Sequence, residues 1–70
     1  MELNRHALTA LREAKGISKA DLARAIGVDR TYVSRWETGD RVANERYIRL
    51  MAETLGVSPL APTGALPAAA

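Results

Sequence analysis

The chain has 70 residues, room for one domain around a small core. It contains no Cys, which excludes a disulfide framework and a thiolate zinc site, and no apolar run approaches the length of a membrane span. Ten Lys and Arg against eight Asp and Glu leave a formal net charge of +2, too mild for binding driven by bulk charge, so any nucleic-acid reading depends on where the charges sit.

In chain order, Asn4 is placed to cap a first helix from about Arg5 to Lys15, with Leu8 and Leu11 as its apolar pair and Gly16 as its stop. Ser18 opens a second helix, with Asp21 three residues on in a variant of the capping box. Leu22, Ala23 and Ile26 form its inner face, and Gly27 ends it. Asp29 caps a third helix in which Val33 and Trp36 face inward and Gly39 closes the last turn. Helices over about 18–26 and 30–37, joined through Ile26-Gly27-Val28-Asp29, have the layout of a helix-turn-helix. Asp40 to Ala43 reads as a connection. Asn44 caps a fourth helix reaching about Leu55, with Ile48, Met51, Ala52 and Leu55 as its apolar stripe. Ser58-Pro59 signals a brief fifth turn. From Ala61 to Ala70 the composition is mostly Ala and Pro, and a disordered tail is expected after a domain of residues 1–60. The fold class is all-α, a compact bundle of four to five short helices.

The second helix of the motif carries Arg30, Thr31, Tyr32, Ser34 and Arg35, side chains that can donate to bases and phosphates. Arg41 follows closely, with Asp29, Glu37 and Asp40 interleaved. Trp36 is a core residue whose indole N–H needs a partner when buried. His6 is the only histidine. With no Ser/His/Asp set and no carboxylate pair, catalysis is not expected, nor is any cofactor, metal or small-molecule ligand.

Leu11-Arg12-Glu13, Lys15-Gly16-Ile17-Ser18, Asp21-Leu22-Ala23, Ile26-Gly27-Val28, Val33-Ser34-Arg35-Trp36-Glu37-Thr38-Gly39 and Ala52-x-x-Leu55-Gly56-Val57 occur in this order. Together they resemble the lambda-repressor-like, Cro/C1-type (xenobiotic-response-element) helix-turn-helix proteins, from about Leu8 to Val57. The resemblance implies base contacts from Arg30, Thr31, Arg35 and Asp29, with Arg30 donating in pairs to guanine. It implies DNA backbone contacts from Lys19, Tyr32, Ser34, Arg41 and Asn44, and a structural ion pair between Arg12 and Glu37. Lys19 stands where the family often has Gln, and Ala43 stands near its frequent Pro. Asp40 beside Arg41 weakens the positive field at the connection.

The function this implies is a sequence-specific regulator of transcription, a Cro-like phage or prophage repressor acting by occupying its operator in the cytoplasm of a bacterial or phage-infected cell. An antitoxin, a restriction–modification controller, or a protein-interaction module using the fold without DNA are the alternatives. An inverted-repeat operator in double-stranded DNA requires two copies of the reading helix. Tyr47, Leu50 and Leu60, with Leu66 beyond them, are the apolar residues left for a weak homodimer formed on DNA. No membrane partner is expected.

Overall fold

The computed structural model describes residues 2–64, and every regular element among them is helical. Four α-helices, α1 (Arg5–Ala14), α2 (Lys19–Ile26), α3 (Arg30–Thr38) and α4 (Glu45–Leu55), are followed by a short 3-10 helix at Ala61–Thr63. Each α-helix begins where the sequence places an acceptor. The first amides of a helix have no carbonyl partner within it, and an extended cap residue with a short polar side chain reaches them. Asn4 Oδ1 accepts from the amides of His6 and Ala7 at 3.0 and 3.1 Å, and Ser18 Oγ from Asp21 at 3.0 Å. Asp29 Oδ1 accepts from Thr31 at 2.8 Å and Asn44 Oδ1 from Tyr47 at 3.0 Å.

The turn of the motif depends on Gly27. Its φ of 80° is the left-handed conformation that a Cβ disfavours, and it lets the Val28 amide return to the Ala23 carbonyl at 3.0 Å. The chain reverses within three residues, and α3 lies against α2. The two helices close over α1 and α4 through Leu8, Leu22, Val33, Ile48 and Met51, all fully buried, with Ala23, Ile26, Trp36, Ala52 and Leu55 around them.

Three placements differ from the sequence reading. Ala43, expected only to connect, is buried in the core, so the connection is pinned just before α4. Tyr47 and Leu50, expected at a dimer surface, are half-buried against the same core. Folded chain also continues past residue 60. Pro62 is buried, its carbonyl accepts from the Asn4 amide at 2.9 Å, and the 3-10 helix lies against α1. The expected disorder therefore does not hold for residues 61–64. A proline fits there because this turn asks no backbone donor of it, while its ring fills space beside α1. The Ser58-Pro59 turn is present and leads into the 3-10 helix, with Ser58 accepting from the amides of Leu60 at 3.3 Å and Ala61 at 2.9 Å. The rest of the expected tail, Leu66 included, lies outside the described residues. No helix among them is long and apolar enough to cross a membrane.

Candidate nucleic-acid interface

Helix α3 buries one face and presents the other. Val33 and Trp36 point inward, and a 3.6-residue period then turns Thr31, Arg35 and Thr38 outward, where all three are exposed. Arg30 and Ser34 flank that face, Arg30 exposed and Ser34 half-buried, and Tyr32 lies on the opposite flank. Neither Arg30 nor Arg35 has an ion-pair partner among the described residues, whose acids are engaged elsewhere or apart from them. Both guanidiniums keep their donors for an external acceptor.

A presented helix reads a groove only if it is held rigidly, and α1 does the holding. Arg12 grips Glu37 through two nitrogens, Nε to Oε2 at 2.7 Å and Nη2 to Oε1 at 3.1 Å. Their side chains are 12% and 5% exposed. Thr9 Oγ1 adds a bond to Glu37 Oε1 at 2.9 Å, and Arg12 Nη1 donates to the Ile17 carbonyl at 3.0 Å. The hydrogen bond to Glu37 holds the Arg12 guanidinium above its ordinary pKa against the opposing effect of burial. Arg5 donates to the carbonyl of Thr38, placing a cation at the negative end of α3. This contact also explains Gly39: at φ 87° any side chain is strained, and a Cβ would sit 2.9 Å from Arg5 Nη1. The grips fall at the C-terminal half of α3, so its N-terminal half projects.

Asp29 begins that projecting half. Hydrogen bonds from Thr31, side chain first and then backbone, hold its carboxylate below the usual range. A depressed carboxylate pKa means a contribution to stability that is present above the unfolded-state value and lost as pH falls through the folded one. A carbon-detected NMR titration of Asp29 is expected to give a midpoint below the ordinary value of about 3.9, with fraying of the first turn of α3 over the same acid range. An unshifted midpoint would remove the cap from the account. The hydrogen bond from the Thr31 amide falls on Oδ1, at 2.8 Å.

Three of the expected backbone contacts, Lys19, Arg41 and Asn44, lie outside α3. Lys19 is the first residue of α2 and half-buried. Asn44 commits its oxygen to capping α4, so only its NH2 group is open to donate outward. Arg41 does not pair with Asp40, and Glu45 is taken by Arg49 at 3.1 Å. The Arg41 guanidinium lies instead over the ring of Tyr32, 4.7 Å from its centroid. Tyr32 in turn packs on Trp36 (6.1 Å, tilted 49°), and Trp36 on Tyr47 of α4 (5.3 Å, tilted 38°). The Trp36 Nε1–H is buried and has no partner among the described residues. Leaving it so costs about 1–3 kcal/mol, which two ring contacts of about 0.5–1.5 kcal/mol each offset. Of the three apolar residues expected at a dimer surface, only Leu60 is exposed, at 44%. The contacts of Arg5, Thr9 and Arg41 were not legible in sequence, since each joins residues that no helical period relates.

Comparison with known proteins gives this geometry its family. The family model described as helix-turn-helix matches residues 8–61. A candidate HTH-type transcriptional regulatory protein of Methanocella arvoryzae is 40% identical over 50 residues, 71% of this chain but only 15% of that protein. Among solved structures, the hypothetical transcription factor NHTF from Neisseria superposes with a TM-score of 0.80 at 35% identity, over 93% of this chain and 72% of that one. The restriction–modification controller protein C.AhdI from Aeromonas hydrophila gives 0.75 at 38% identity, over 79% and 80%. The clp gene regulator ClgR from Corynebacterium glutamicum gives 0.76 at 29% identity, over 79% of this chain and 58% of that one. The chain belongs to the Cro/C1-type helix-turn-helix family.

Proposed function

We propose that this helix-turn-helix chain is a sequence-specific regulator of transcription that inserts the N-terminal half of α3 into the major groove of double-stranded DNA and represses by occupying a promoter, without catalysis, in the bacterial cytoplasm. The observation that carries the reading is the contrast across α3. One face is fixed by a buried fork of Arg12 on Glu37, and the other presents Thr31 beside Arg30 and Arg35, whose guanidiniums have no ion-pair partner among the described residues. A rigid helix with unspent donors is what base readout requires. A protein-interaction module would place apolar side chains on that face.

In this reading Arg30 reads a base, Thr31 and Arg35 reach base edges or phosphates, and Lys19, Ser34, Arg41 and Asn44 hold the backbone. One such helix reads too few base pairs to select a site from a genome, so two protomers bind an inverted repeat, about 34 Å apart on one side of the duplex. With Tyr47 and Leu50 engaged in the core, the surface left for pairing is small, and the dimer forms on DNA.

Selection of bound duplexes from a random pool, followed by footprinting, tests the proposal. Arg30→Ala is expected to cost about 1–3 kcal/mol on the selected site and to relax preference at one base pair. Arg41→Ala is expected to weaken all duplexes alike. Uniform loss from Arg30→Ala would move readout to another side chain, and one protected half-site at full affinity would remove the dimer. A restriction–modification controller is the second reading, supported by the 38% identity to C.AhdI. A selected site lying before a methylase or endonuclease gene would favour it over the phage repressor.

A further inference from the structure

We propose that Tyr32 is a positioning residue for Arg41: its ring holds the guanidinium at the edge of the reading surface, ready for a backbone phosphate, and the tyrosine hydroxyl is not itself a DNA contact. This rests on the DNA-binding reading above and changes the role that the family resemblance implies for Tyr32.

Arg41 lies in the connection between α3 and α4, outside any helix. A long side chain there would ordinarily be mobile and would lose that freedom on binding. Two acids are near in sequence, Asp40 and Glu45, and either could have captured it. Neither does: Glu45 holds Arg49, and Arg41 makes no ion pair among the described residues. Its guanidinium sits 4.7 Å from the centroid of the Tyr32 ring, inside the range of about 6 Å over which a ring face attracts a cation. Such attraction uses the charge and the flat face of the guanidinium and leaves its N–H edge able to donate to phosphate oxygens.

The ring is itself anchored. Tyr32 is 38% exposed, and its inner side packs on Trp36, which packs on Tyr47 of α4. Three rings in series connect the core to the cation at the surface. The backbone cooperates, with the Arg41 amide donating to the Arg35 carbonyl at 3.2 Å and Ala43 buried two residues on. Arg41 is thereby tied to α3 by backbone and by side chain, and the phosphate donor keeps a constant offset from the base-reading residues.

The test begins with the free protein. Arg41 side-chain protons are expected to be shifted upfield by the ring, with the shift lost in Tyr32→Leu and kept in Tyr32→Phe. Affinity for a duplex recovered by selection is then measured across salt for wild type, Tyr32→Leu, Tyr32→Phe, Arg41→Ala and the double variant Tyr32→Leu/Arg41→Ala. Tyr32→Leu is expected to weaken binding about two- to fivefold per protomer, the factor a cation–ring contact supports. Tyr32→Phe recovers that loss, and in the Arg41→Ala background Tyr32→Leu costs nothing further. Equal losses from Tyr32→Leu with and without Arg41, or a loss from Tyr32→Phe as large as from Tyr32→Leu, would overturn the assignment. Unshifted Arg41 protons in a protein that binds DNA would overturn it alone and spare the DNA reading. A wild-type protein that binds no duplex would overturn both. The ring-current measurement keeps its meaning even if Tyr32→Leu folds poorly.

Discussion

Arg12→Ala is expected to lower the stability of the domain by about 3–5 kcal/mol, and Glu37→Ala by a similar amount. The reason is the burial of what remains. Without Arg12, the Glu37 carboxylate, 5% exposed, keeps the Thr9 hydroxyl but loses both guanidinium donors. Without Glu37, Arg12 keeps one hydrogen bond among the described residues, to the Ile17 carbonyl. A domain of this size has about 5 kcal/mol in all, so either variant should be largely unfolded near physiological temperature. The exposed pair Arg24–Asp21 is the control: at 3.5 Å with side chains 79% and 61% exposed, its loss should stay within about 1 kcal/mol. Arg30→Ala should leave the melting temperature nearly unchanged, since its exposed side chain makes no hydrogen bond or ion pair among the described residues. Urea unfolding followed by the fluorescence of Trp36, the single tryptophan, measures all four. Equal midpoints for wild type and Arg12→Ala would show that the fork does not hold α3.

The second large effect is on DNA affinity. Lys19 and Arg41 are the proposed cationic backbone contacts, joined by Arg35 where it reaches a phosphate. Each phosphate neutralised contributes about −0.9 to the slope of log K against log salt, giving about −2.7 per protomer and about −5 for a pair on an inverted repeat. A slope near −5 means roughly a thousandfold loss of affinity between 50 and 200 mM salt. The net charge of +2 would not by itself suggest such steepness. The expectation comes from Arg35 and Arg41 having no ion-pair partner among the described residues while Glu37 and Glu45 are paired with Arg12 and Arg49. Titration of the selected duplex across salt distinguishes three cases. A flat response would sink the DNA reading, a slope near −2.7 at full affinity would mean one protomer per site, and a slope near −5 supports the pair.

The four α-helices and their order were legible in the chain before any packing was considered. Asn4, Ser18, Asp29 and Asn44 each act on amides two or three residues ahead, and Gly27, Gly39 and Gly56 each act within one turn. Such interactions are local, so the linear order of residue types already contains them. The periods of Leu22, Ala23 and Ile26 and of Ile48, Met51 and Leu55 likewise marked the buried faces, because burial on a helix repeats every 3.6 residues. Arg12 and Glu37 were paired through family resemblance. No spacing rule joins residues 25 apart, and only the packing of α1 across α3 puts their atoms at 2.7 Å.

The rest was decided by tertiary structure. Ala43 and Pro62 sit in segments without a period, and their burial follows from what lies over them. Tyr47 and Leu50 fall outside the strict stripe of α4, yet the helices around it cover more than that stripe, and both are drawn against the core. The Asn4 amide meets the Pro62 carbonyl across almost the whole described chain, which is why order persists past the boundary that composition suggested at residue 60. Arg41 had acidic neighbours in sequence and an aromatic one in space. It meets the ring, 4.7 Å from its centroid, where the chain leaves α3 through Gly39 at φ 87°, with the Arg41 amide on the Arg35 carbonyl and Ala43 held in the core.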